Sequence, residues 1–220
     1  MGMRVTRSFT FLDLCGFTRF TSEEGDDRAT AVLGDFRGCV RTICSRRGVR
    51  VAKWLGDGAM IVAVDAPPMV AAVLEIEAKV DESGSPLPIR GGLATGAVIL
   101  FEGDDYIGSP VNLAARLCDA AGPRQILAVP ELIPAVPAWG GAGEPHRLPI
   151  AGFAQPVEVV RVSRRVPGPD AVIDPVCGLS IPLDAALERE IDGGRIWFCS
   201  DSCAAAWADR TAAPAEPTLG

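Results

Sequence analysis

Apolar and polar positions along this chain switch between two periods. Residues 5–17, VTRSFTFLDLCGF, read as a strand rich in β-branched and aromatic side chains, with Phe9, Phe11 and Asp13 sharing one side. In residues 29–46 the apolar positions Ala31, Val32, Phe36, Val40 and Ile43 recur at helical spacing. Two apolar runs follow, VRVAKWL (49–55) and AMIVAV (59–64), and the Gly56-Asp57-Gly58 between them predicts a hairpin. Residues 68–80 predict another helix and residues 89–101 a strand or hairpin. Ser109 suits an N-cap and Pro110 the first position of a helix that Gly122-Pro123 stops. Residues 125–129 and 155–162 predict closing strands. The order of elements predicts an α+β domain, a ferredoxin-like sheet with helices on one face.

Into this pattern the chain inserts charges where apolar residues are expected. Asp13 ends a strand that reads as buried, which is costly unless the carboxylate is paired or binds a cation. Gly16 opens a turn after it, and the amides of Phe17 and Thr18 are placed to face a polyphosphate as a helix begins. Lys53 interrupts a strand that looks buried on both faces, and Asp57 sits in the hairpin turn. Two carboxylates at adjacent strand ends suit a pair of Mg²⁺ ions, which take few protein oxygens plus substrate phosphates. Farther on, GDDYIGSPVNLAARL (103–117) places Asn112 and Arg116 four apart, on one helical face. Such an Arg neutralises charge on a transferring phosphoryl group, and such an Asn orients a sugar. A surface Asn–Arg pair, a capping Asp13 and a solvated turn Asp57 are the plainer alternatives.

FLDLCGFT (11–18), KWLGDG (53–58) and GDDYIGSPVNLAARL, taken together, resemble a class III nucleotide cyclase domain over residues 5–163. The resemblance implies that Asp13 and Asp57 bind two metal ions, Mg²⁺ or Mn²⁺. It implies that Lys53 and Asp105 select adenine, and that Asn112 and Arg116 orient the ribose and stabilise the pentavalent phosphorus. The implied activity converts ATP to 3′,5′-cyclic AMP and pyrophosphate by in-line attack of the ribose 3′-oxygen. The implied assembly is a head-to-tail homodimer, one protomer giving Asp13 and Asp57 and the other Lys53, Asp105, Asn112 and Arg116. Strand parity alone puts Lys53 and Asp57 on the same side, so the resemblance requires a break in parity near Gly56. A guanylate cyclase, or a metal-sensing or scaffolding protein with a weakly active cyclase-like domain, are the competing readings.

Composition narrows the partners. With 21 Lys and Arg against 28 Asp and Glu, a net charge of −7 argues against nucleic acid. No apolar run approaches a membrane span, and Asp13 breaks the N-terminal candidate for a signal peptide. Met1-Gly2 and Thr6 fit a myristoylation pattern only loosely and read instead as the lead-in to the first strand. Arg41, Arg46, Arg47 and Arg50 read as a solvated, dipole-compensating cluster, and His146 as a structural loop residue. Seven cysteines, an odd count, suit a reducing cytoplasm, with Cys15, Cys39, Cys44 and Cys118 as core residues.

The remaining cysteines lie past a Pro/Gly-rich segment. The expected organisation is a catalytic domain (1–163), a linker (164–170), a small module (171–211) and a disordered tail (212–220). The module resembles a YHS domain through Asp174-Pro175-Val176-Cys177-Gly178 and Phe198-Cys199-Ser200 followed by Cys203. The Tyr and His that help name that family have no counterpart in residues 183–194. Three thiolates, Cys177, Cys199 and Cys203, suit Zn²⁺ or Cu⁺, with a fourth ligand from water or a partner chain. The plain alternative is a tiny α/β unit with incidental buried thiols.

Overall fold

The computed structural model describes residues 3–101 and 105–212. Met1-Gly2, Gly103-Asp104 and the expected tail from 213 onward lie outside the described residues. The chain forms two compact units, Met1–Arg164 and Arg165–Gly220. No helix among the described residues is long and apolar enough to cross a membrane.

In the first unit, strand β1 (Met3–Leu14) runs antiparallel between β3 (Gly58–Ala63) and β4 (Ile89–Phe101). β2 (Arg50–Leu55) pairs outside β3, and β5 (Asp105–Ile107) pairs with β4. β6 (Ile126–Ala128) joins β4 in parallel, and β7 (Gly140–Ala142), β8 (His146–Leu148) and β9 (Val157–Arg164) complete the sheet. His146 is therefore an exposed strand residue and not part of a loop. Helices α1 (Phe17–Glu24) and α2 (Asp26–Arg46) follow β1, α3 (Ala66–Glu82) follows β3, and α4 (Ser109–Ala120) links β5 to β6. Gly108 is the residue before α4, so Ser109 is the first helical position, and no side chain caps the helix.

Helices cover both faces of the sheet, where one was expected. Cross-strand partners share a face. Trp54 lies opposite Ala59, and Ala59 opposite Leu12; Arg37 and Arg41 of α2 each stack 5.1 Å from the Trp54 ring. α2 thus covers the Leu12 face. Gly92 lies opposite Phe11, and a Cβ on Gly92 would strike the α4 backbone at Ala114, Cys118 and Leu117, the last at 2.7 Å. α4 thus lies against the Phe11 face. The physical reason is in β1 itself: Phe9 and Leu12 lie on opposite sides and are both fully buried, so each face needs a cover.

β2 is an edge strand, so none of its residues is fully buried, contrary to its apolar reading. Its pairing with β3 shifts between Val51 and Lys53, a bulge at Ala52. Val51 pairs with Ile61, on the α2 face; unbroken alternation would send Lys53 to that face too. The bulge instead pairs Lys53 with Met60, the neighbour of Phe11, on the α4 face. The bulge sets Lys53 on the opposite face from Val51, and between Lys53 and Asp57 the pairing runs regularly up to the Gly56-Asp57 turn.

Arg46 and Arg47 are not a solvated cluster. Both ion-pair with Glu75 of α3, whose side chain is 1 % exposed, and Arg47 sits over the Trp139 ring at 5.6 Å. Arg41 stacks on Trp54, and Arg50 donates to the Tyr106 hydroxyl at 3.1 Å. Glu75→Ala would leave the Arg47 guanidinium buried without its carboxylate. We expect a loss of about 3–5 kcal/mol in urea unfolding; a loss under about 1 kcal/mol would mean that water replaces the pair.

The second unit holds β10 (Val172–Ile173) paired with β11 (Ser180–Ile181), the hairpin β12 (Leu187–Ile191)–β13 (Gly194–Phe198), and α5 (Asp201–Ala212). Asp192 and Gly193 both adopt positive φ, 52° and 75°, as a tight two-residue hairpin turn requires. Leu179, Ile181 and Phe198 form its fully buried centre.

Candidate functional site

Asp13 ends β1 opposite Gly58 on one side and Arg90 on the other. Arg90 grips one Asp13 oxygen with two donors, Nε at 2.9 Å and Nη2 at 2.7 Å, and its Nη1 reaches the Asp119 carbonyl at 3.2 Å. Asp57 lies in the two-residue turn between β2 and β3, beside Gly56 at φ 62°. Burial pushes the Asp57 carboxyl up; a backbone hydrogen bond opposes this, and the Asp13 charge raises it further. Carboxylates at adjacent strand ends suit a divalent cation.

That electrostatic strain has a measurable consequence. A carboxyl raised in the folded state holds its proton more tightly than in the unfolded chain, so ionisation at neutral pH costs folding stability. Asp57→Asn removes the cost. The metal-free variant should melt higher than the wild type at pH 7, on the order of 1–2 °C, with the difference shrinking as pH falls into the carboxylate range. A lower Tm at pH 7 would show that Asp57 is not strained.

On the α4 face, Lys53 forms an ion pair with Asp105, the first residue of β5. Both side chains are about half exposed, at 50 % and 52 %. The bulge at Ala52 is what lets the two meet, since it turns Lys53 toward this face. Next to it, Arg50 reaches Tyr106, whose ring packs edge-on against Phe9 at 5.2 Å. Asn112 and Arg116 are both exposed on α4 and line an open groove of about 780 Å³ with Ser109 and Phe153. Arg116 pairs with Asp119 at 3.1 Å. Phe17 and Thr18 open α1 after Gly16 at φ 81°, with no side chain capping that terminus, so its first amides face outward.

The structure thus groups Asp13 with Asp57, Lys53 with Asp105, and Asn112 with Arg116. Three further residues escaped the sequence reading. Arg90 interrupts an apolar strand just as Lys53 does, and that signal was legible. Arg37 donates from Nη2 to the Gly56 carbonyl at 2.7 Å and so pins the turn carrying Asp57, a contact between residues nineteen apart. Asp119 ties Arg116 and Arg90 to one point of α4.

The second unit gathers Cys177, Cys199 and Cys203 with Asp174, their ligand-type atoms all within 4.8 Å of one another. Asp174, quoted above only as part of a motif, joins the cluster from inside the unit. All seven cysteines are free thiols. Desolvation pushes Cys44 and Cys118 up to about 12 and Cys39 up to about 11, which makes them poor nucleophiles.

No family model matches the chain. The adenylyl cyclase CyaB of P. aeruginosa superposes with a TM-score of 0.67 at 25% identity, over 76% of this chain and 97% of that one. The first unit has the class III nucleotide cyclase fold. The guanylyl cyclase Cya2 aligns with the cyclase-fold unit as well, with a TM-score of 0.65 at 22% identity, over 74% of this chain and 95% of that one. In sequence, the pH-sensitive adenylate cyclase MT1302 of Mycobacterium tuberculosis is 32% identical over 162 residues, 70% of this chain. The chain spans 29% to 40% of the length of the curated relatives it matches.

Proposed function

We propose that the cyclase-fold unit is an adenylate cyclase that converts ATP to 3′,5′-cyclic AMP and pyrophosphate. The observation that carries this reading is the Lys53–Asp105 pair, turned by the Ala52 bulge onto the sheet face that also bears Asp13. Lys53 donates to the adenine N1 acceptor, and Asp105 accepts from the exocyclic amine. Guanine presents the opposite pattern and leaves both groups mismatched. The identity to CyaB and to MT1302 supports the adenylate over the guanylate reading.

Asp13 and Asp57 hold the divalent cations, Mg²⁺ or Mn²⁺. When bound, these cations polarise the phosphates and the ribose 3′-oxygen. Arg90 pairs with Asp13 and fixes its carboxylate. The 3′-oxygen forms its bond to the α-phosphorus as the bond to pyrophosphate breaks, and the hydroxyl proton is released. Asn112 orients the ribose, and Arg116 neutralises charge growing on the phosphoryl oxygens. The amides of Phe17 and Thr18 face the triphosphate. The working assembly is a head-to-tail homodimer in which Asp13 and Asp57 of one protomer face Lys53, Asp105, Asn112 and Arg116 of the other. A protein with seven free thiols suits a cytoplasmic role in signalling.

The second unit is a YHS-like module whose Cys177, Cys199 and Cys203 take a thiophilic cation, Zn²⁺ or Cu⁺, and modulate the cyclase. Incubation of the purified protein with ATP and Mn²⁺ should yield cyclic AMP and pyrophosphate in equal amounts, and Asp57→Ala should yield neither. Release of inorganic phosphate without cyclic product would overturn the reading.

A further inference from the structure

Asp174 is fully buried, yet its carboxylate serves two segments of the chain. Oδ1 accepts from the backbone N–H of Val176 at 2.8 Å and of Cys177 at 3.1 Å. Oδ2 accepts from the N–H of Cys199 at 2.7 Å, a residue 25 positions away. A buried carboxylate is tolerable only with such donors. The same carboxylate therefore ties the turn that carries Cys177 to the strand end that carries Cys199.

The thiols sit accordingly. Cys177 Sγ lies 3.7 Å from Cys199 Sγ, and Cys199 Sγ lies 3.6 Å from Cys203 Sγ. Cys203 is one helical turn beyond Cys199 at the start of α5, so its approach is local. Cys177 comes from a separate segment, 22 residues before Cys199. Thiolates around one tetrahedral zinc, at about 2.3 Å from it, stand about 3.8 Å apart. The observed separations are already close to that value.

We propose that Asp174 is the positioning residue of this three-thiol metal site. It draws Cys177 and Cys199 together through their backbone amides, so that the site is assembled before the ion arrives. The proposal rests on reading the cluster as a metal site. Asp174 acts through the cysteines and is not a ligand; three of its four lone-pair positions already accept amide protons. Binding then needs little ordering of the protein, which is where pre-organisation raises affinity.

The test uses the full chain and Co²⁺, whose thiolate charge-transfer absorption reports sulfur ligation and ignores carboxylate sites. The wild type should take one equivalent with that absorption, and Cys199→Ser should lose it. Asp174→Asn should keep the band and its ligand-field pattern but bind about 10–100-fold more weakly, with Zn²⁺ competition giving the same ratio. Unchanged affinity, or an altered ligand-field pattern showing that Asp174 is itself a ligand, overturns the proposal. No thiolate band in the wild type overturns the underlying metal reading instead. A second measurement does not depend on how the variant folds: hydrogen exchange of the Cys177 and Cys199 amides in the wild type. Protection in both metal-free and Zn²⁺-loaded protein is expected; protection only after loading overturns pre-assembly.

Discussion

Asp13→Ala and Arg116→Ala should each lose about 10³-fold in cyclase activity, and mixing the two should restore activity. On the proposed reading Asp13 holds a cation, and its loss also removes the carboxylate that Arg90 pairs with. Arg116 is exposed in a groove on α4 and is expected to contribute only when charge develops on the phosphoryl group. In the proposed head-to-tail dimer the Asp13 and the Arg116 of one protomer serve different sites. A mixed dimer then holds one site with both lesions and one with neither. With random exchange half of the dimers are mixed, so the mixture should reach about a quarter of wild-type activity. The test is a cyclic AMP assay on the mixture after exchange has been shown by labelled subunits. A mixture that exchanges but stays inactive would place the Asp13 and the Arg116 of one protomer in the same site.

Lys53→Glu should cost about 10²–10⁴-fold in kcat/KM for ATP while leaving the melting temperature nearly unchanged. On the proposed reading the substitution removes a charged donor to the base, and it sets a carboxylate beside Asp105. Two misplaced charged hydrogen bonds at about 1.5–3 kcal/mol each give that range. Stability barely changes because Lys53 is half exposed on an edge strand, where an ion pair contributes little. A matched fall in both activity and Tm would make Lys53 a folding residue and not a base-reading one.

Much of this site was legible as a local anomaly. A charge inside an apolar run, as at Asp13 and Lys53, stands out because burial makes it costly. Arg90 is an anomaly of the same kind, set inside the apolar run of residues 87–101. The helix positions of Asn112 and Arg116 followed from spacing, although Ser109 proved to be inside the helix and not its cap. Other features carry no local mark. Nothing in Val51-Ala52-Lys53 announces the bulge, because register is a property of the pair of strands and not of one. The burial of Arg46 and Arg47 depends on Glu75 of α3, more than 25 residues away, and a lone basic cluster reads as solvated until that partner is seen. Asp174 belongs to the same class, since its meaning comes from the Cys199 amide that folding brings to it.

The central claim is that the cyclase-fold unit reads adenine and closes a 3′,5′-cyclic phosphate, and one competition measures it most directly. The purified protein is given equal ATP and GTP with Mn²⁺, and the two cyclic products are separated and quantified together. The account predicts cyclic AMP in excess over cyclic GMP by about 10² or more, with neither product formed by Arg116→Ala. Comparable amounts of the two products, or no cyclic nucleotide from the wild type, would contradict it.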